Sequence, residues 1–172
     1  NITYQQADFE GTIYPKHKTK FDVLWCHDAF QYAVNPIQTL TKWRNITSKG
    51  GMLAMVVPCT TNVGARQLDF TSPNLNYYHY TLVNLIHILA VSGWDCSTGF
   101  FKKTATDPWI SIIAYNSTHE SLDPKTASWY RLCELGLLPE SAVKSVNQHG
   151  YLRQQDLIVP WLDQSLSWLG QQ

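Results

Sequence analysis

The chain has 172 residues, is 44% hydrophobic and 15% charged, and carries 13 basic against 13 acidic side chains. That is enough apolar mass for one buried core, with at most a small appendage. A net charge of zero without a basic patch argues against nucleic acid as partner, and no apolar stretch is long enough to span a bilayer.

The elements follow in chain order. "ITYQQADF", residues 2 to 9, alternates apolar and polar and reads as a strand. A basic loop leads to "FDVLWC", residues 21 to 26, a second strand. It is apolar except for Asp22 and is expected to be covered on both faces. Cys26, His27 and Asp28 come together where this strand ends, which puts a thiol, an imidazole and a carboxylate at one point. Asn35 and Pro36 then read as N-cap and first residue of a helix. That helix is expected to present Ile37, Leu40, Arg44 and Thr47 on one face, with Trp43 beside it, and to end at "SKGG" on a left-handed glycine. "MLAMVV" is a third strand, so the strand–helix–strand order predicts two parallel strands.

Residues 58 to 80 form a long irregular stretch of the kind that covers binding sites. "TLVNLIHILAVSG" is a helix apolar nearly all round, ending at Gly93. "WDCSTGFFKKT" and "WISIIAYNS" read as an antiparallel edge hairpin turning at Asp107-Pro108. From residue 123 on, helices break near Gly136, Pro139, Gly150 and Pro160. The division this suggests is an α/β part over 1–118 and a helical extension over 119–172 packed on it. Trp25, Trp94, Trp109 and Trp129 read as core or helix-packing residues.

Cys26, Cys59, Cys96 and Cys133 show no zinc-binding spacing, so no metal is expected, and reduced thiols in a cytoplasmic protein are. No signal-peptide pattern opens the chain. The sequons at Asn1, Asn45 and Asn116 are read as chance matches. A start at Asn1, directly on a strand-like run, is what a truncated chain would show.

Three stretches carry a resemblance: "QADFEG", "FDVLWCHDAFQYAVNP" and "KWRNITSKGGMLAMVVP". In this order and spacing, residues 2 to about 118 resemble the C-terminal two thirds of a class I S-adenosylmethionine-dependent methyltransferase. The "HDAFQY" stretch is most similar to the small-molecule N-methyltransferases. The fold implied is a partial Rossmann-like α/β sheet, mostly parallel, closed by an antiparallel hairpin. One departure is large: none of the nine glycines forms a G-x-G, so the family's first strand, its glycine-rich turn and the acid ending its second strand are missing from this sequence. Three readings stay open: a fragment, a chain completed by another chain, or a protein that no longer binds the cofactor.

The resemblance implies roles for single residues. Asp8 and Phe9 would frame the cofactor's adenine, although Asp8 can equally cap a turn. Cys26 and His27 would line the sulfonium and ribose region. His27 and Asp28 would orient or deprotonate an acceptor, since methyl transfer from a sulfonium needs little beyond positioning and proton management. Tyr32 stands where the N-methyltransferases carry a His. "NYYHY" places Tyr77, Tyr78 and Tyr80 over the site, where rings could hold an amine or simply cover the core. A small-molecule methyltransferase is thus one expectation. A non-catalytic scaffold completed by a partner chain is the alternative. An open edge on the 21–26 strand would favour a homodimer.

Overall fold

The computed structural model describes residues 8–10, 20–59, 78, 80–103 and 109–158. Its sheet begins with β1, Phe21–His27, which pairs in parallel with β2, Thr47–Pro58, from Val23 opposite Met52 to His27 opposite Val56. Between them lie a 3-10 turn, Phe30–Tyr32, and helix α1, Pro36–Ile46. The start of α1 follows from its sequence: Pro36 opens the helix and the Asn35 side chain accepts from Gln38 N at 3.1 Å.

The end of α1 differs from the expectation. The helix stops at Ile46, and "SKGG" belongs to β2. The cause is Asn116, far along the chain. Its amide nitrogen lies 3.1, 2.8 and 3.1 Å from the carbonyl oxygens of Arg44, Thr47 and Ser48 and takes up acceptors that the helix end leaves open. Thr47 adds a hydroxyl bond to Trp43 O at 2.8 Å. Gly50 does adopt a left-handed φ of 72°, but inside the strand. Asn116 is 8% exposed and fully engaged, so it is no acceptor for a glycan.

Helix α2, Leu82–Val91, is capped by Thr81 and ends before Gly93, whose φ is 84° and where a Cβ would lie only 2.9 Å from His119 O, so no side chain fits without a shift. Strands β3, Trp94–Lys102, and β4, Trp109–Asn116, are antiparallel neighbours, as expected. The strand order is β1-β2-β4-β3, so β4 is inserted between β2 and β3, and only one member of the hairpin lies at an edge. The turn at 107–108 and the helix break at Pro160 lie outside the described residues.

The core joins Leu53, Met55 and Val57 of β2 and Ile110, Ile112 and Ala114 of β4 to Leu85 and Leu89 of α2 and Leu40 and Trp43 of α1. Trp94, fully buried, donates its indole N–H to Leu40 O at 3.1 Å. Helices α3, Trp129–Glu134, and α4, Glu140–His149, are separated at Gly136 and Pro139 and bring Leu132, Ala142 and Val146 to the same core. Cys96 N donates to Leu137 O at 2.9 Å and ties this part to β3.

β1 overturns a second expectation. It is not covered on both faces: Phe21, Val23 and Trp25 are 42%, 52% and 66% exposed. Trp25 is therefore not a core residue. Among the described residues β1 also pairs on one side only, so it is an edge strand as well as one whose Phe21–Val23–Trp25 face is exposed.

Where α2 meets α3, the His87 ring lies 4.7 Å from that of Trp129. Burial holds its imidazole below the usual 6.5, against a main-chain hydrogen bond at Ala127. Above 6.5 the ring is neutral in both states, so the protein has its full stability there. As the pH falls below 6.5 the unfolded chain takes up the proton first, and stability declines until the lower folded value is passed. Urea midpoints are expected to drop from neutral to mildly acidic pH. The drop should shrink in a His87→Phe variant.

Candidate functional site

β1 and β2 run in the same direction, so their carboxyl ends open side by side, and in open α/β sheets that is where ligands bind. His27 is the last residue of β1 and is exposed. Its ring lies between Trp25 and Trp109, with centroids 6.2 and 6.3 Å away. The next residue, Asp28, is described as left-handed, with φ 50°, the one positive φ outside glycine among the described residues. Asp tolerates this region better than most side chains, and such backbone is common where chains turn at functional sites. Its main-chain N–H still donates to Val56 O at 3.0 Å, so the turn stays attached to β2.

Cys26 is buried, and its thiol is pushed up to about 11 by that burial, against hydrogen bonds from the Phe30 and Ala29 main chain and with the Asp28 charge adding to the rise. It is a thiol at neutral pH and fills space rather than attacking.

The turn 8–10 comes to the same end of the sheet. Sequence reading extended a strand through Phe9, but Phe9 and Glu10 form a turn, and residues 1–7 lie outside the described residues. Asp8 accepts from Glu10 N at 2.9 Å, the turn-capping geometry, and is exposed. Phe9 packs on Trp43 with centroids 6.1 Å apart. Together Phe9, Cys26, His27 and Ala29 line one groove of about 490 Å³, which continues along β1 over Val23 and Trp25. Three of the four residues expected at the cofactor are thus neighbours, and Asp8 adjoins them in sequence.

Sequence reading missed Glu10. Its carboxylate accepts from Val34 N at 2.8 Å, Asn35 N at 3.1 Å and Thr39 Oγ1 at 3.0 Å, and its carbonyl from Lys42 Nζ at 2.6 Å. Burial works against the charge, but these donors outweigh it and hold the carboxyl below its ordinary 4.5. Glu10 fastens the 8–10 turn to the start of α1, where main-chain donors are unpaired and the helix dipole favours an anion. Glu10→Ala is expected to cost about 0.5–2 kcal/mol, the range of a lost helix cap, seen in urea denaturation. Its contribution is present above 4.5 and is lost as the pH falls through the lower folded value.

The residues expected to meet an acceptor, apart from Tyr77, lie in the 3-10 turn and at positions 78 and 80. Tyr32 is half-buried in that turn. Tyr78 is 39% exposed, donates its main-chain N–H to Gln31 O at 3.1 Å, and has its ring 6.1 Å from that of Tyr80. Tyr80 is 5% exposed and stacks on Phe30, so its ring belongs to the core cover. Tyr77 lies outside the described residues. Gln31, also missed in the sequence, is fully buried and donates Nε2 to Asp28 Oδ1 at 2.5 Å. That bond fixes the amide orientation and leaves Gln31 Oε1 buried without a partner, as is the Tyr80 hydroxyl. Each such atom costs about 1–3 kcal/mol.

No family model and no curated protein matches the chain. Solved structures do. The protein assigned as a methyltransferase in the Haloferax volcanii complex with the Trm112 methyltransferase activator is similar at a TM-score of 0.53 and 15% identity, over 66% of this chain and 60% of that one. A Bacillus halodurans protein, also assigned as a methyltransferase, is similar at 0.53 and 15%, over 68% of this chain and 78% of its own. The fold is accordingly that of the class I methyltransferases, with the sheet present in part. The matched part spans 60% of the first relative's length.

Proposed function

We propose that the chain is the acceptor-facing part of an S-adenosylmethionine-dependent methyltransferase acting on a small molecule. The observation that carries this reading is the meeting of Phe9, Cys26 and His27 in one groove that runs along β1 to its carboxyl end, where the exposed Asp28 follows. An aromatic wall and a mostly apolar lining fit the adenine end of the cofactor, which when bound supplies an electrophilic methyl group. Phe9 would lie along the adenine and Asp8 would accept from its amine. Cys26 and His27 would border the ribose and sulfonium. Asp28, with His27, would orient the acceptor and take its proton. A cytoplasmic location suits this role, and no helix among the described residues is long and apolar enough to cross a membrane.

The glycine turn and the ribose-holding acid are not in this sequence, and they would contribute several charge-assisted bonds of about 1.5–3 kcal/mol each. Losing two or three weakens affinity by roughly three orders of magnitude or more. The expected result is weak binding of S-adenosylhomocysteine, seen in amide NMR spectra as shifts confined to Phe9, Cys26, His27 and Ala29. A groove that stays silent overturns the reading, and micromolar affinity by calorimetry contradicts the expected weakness.

A second reading rests on the exposed β1 face: a methyltransferase-like scaffold completed by a partner or a second copy, as the Haloferax volcanii relative is seen with an activator. Light scattering showing a clean monomer would remove the second copy.

A further inference from the structure

Packing does not explain Gln31. The side chain is fully buried, and Met would fill the same space without an unpaired oxygen. The Asp28 carboxylate takes the amide nitrogen, so the oxygen is the end held back from any partner. Residues 29–32 are joined to Tyr78 by its main-chain bond to Gln31, and two buried polar atoms here are unpaired, Gln31 Oε1 and the Tyr80 hydroxyl. A bound group that carries a donor would relieve the first, and the hydroxyl can give or accept for the second. Buried polar atoms left unsatisfied are a signature of a site that waits for its ligand.

We propose that Gln31 and Tyr80 determine acceptor specificity: Gln31 Oε1 takes a hydrogen-bond donor, N–H or O–H, of the small acceptor, with the Tyr80 hydroxyl as second contact, while the Gln31 amide N–H holds Asp28 in place. This deepens the methyltransferase reading, on which it rests. Recognition here is by the donor. Attraction of a cation to the Tyr78 and Phe30 rings alone would not discriminate between a cation with N–H groups and one without.

Four probes separate these cases in amide NMR titrations of the whole chain: methylammonium, methanol, tetramethylammonium and acetate. Methylammonium or methanol is expected to shift residues 28–31, 78 and 80, the stronger of the two telling amine from hydroxyl. Tetramethylammonium and acetate should not. Gln31→Met and Tyr80→Phe are each expected to weaken the response about tenfold or more. Tyr80→Phe removes only an unpaired atom, so its thermal midpoint should hold or rise, whereas Gln31→Met also gives up the bond to Asp28 and should lower the midpoint. Equal shifts with tetramethylammonium, an unchanged response in Gln31→Met, or a marked fall in the Tyr80→Phe midpoint would overturn the proposal. The cofactor titration is scored separately: a silent groove with a Gln31-dependent probe response sinks the methyltransferase reading and leaves the donor site standing.

Discussion

Trp94→Ala is expected to remove a large share of the protein's stability. The indole is fully buried at the start of β3, and its N–H supplies Leu40 O in α1. Truncation leaves a large cavity and takes the indole donor from Leu40 O, a loss of about 3–5 kcal/mol. A domain of this size holds only about 5–15 kcal/mol in all. Trp94→Phe keeps one aromatic ring and loses the donor and part of the buried volume, so it should cost less than the alanine variant. Urea denaturation followed by circular dichroism gives both values. A loss below about 1 kcal/mol for the alanine variant would mean that the α1–β3 junction repacks freely.

The second large effect is at Asn116. Its amide nitrogen serves the carbonyls of Arg44, Thr47 and Ser48 together. Asn116→Ala should cost about 2–3 kcal/mol, since the buried carbonyls lose their donor. Asn116→Asp has nearly the same shape yet should cost more at neutral pH, because a carboxylate would face three carbonyl oxygens. Acid should then restore part of the loss in the Asp variant, as the protonated carboxyl regains one donor. If Asp and Ala behave alike at both pH values, the three contacts are not the source of the stability.

Much of the fold could be read from periodicity and punctuation. Asn35-Pro36 set the start of α1, Gly93 the turn after α2, and Gly136 and Gly150 the breaks between helices. What failed depended on partners distant in sequence. The end of α1 is fixed by Asn116, which no local pattern reveals. The apolar run of β1 looked like an interior strand because composition reports what a strand can bury, not what covers it. At the site, the turn after β1 was legible because a thiol, an imidazole and a carboxylate interrupt an apolar run. Glu10 and Gln31 were not: each stood inside a quoted motif, but an acid near a turn and a Gln in a short helix are ordinary until their partners are known. For Glu10, the missed signal was that a turn acid preceding a strand–helix unit can reach the helix start.

The place of β4 between β2 and β3 also fixes an order of assembly. β3 leaves the ribosome before the strand it pairs with, and β2 keeps an open side until residues 109–116 appear. The sheet therefore closes late, through contacts between segments far apart in the chain, which slow folding and prolong the time in which bare strand edges are available to other chains. A nascent chain stalled before Trp109 holds most of its apolar residues but not the strand that joins them, so chaperone dependence should be greatest during synthesis of the stretch just before β4.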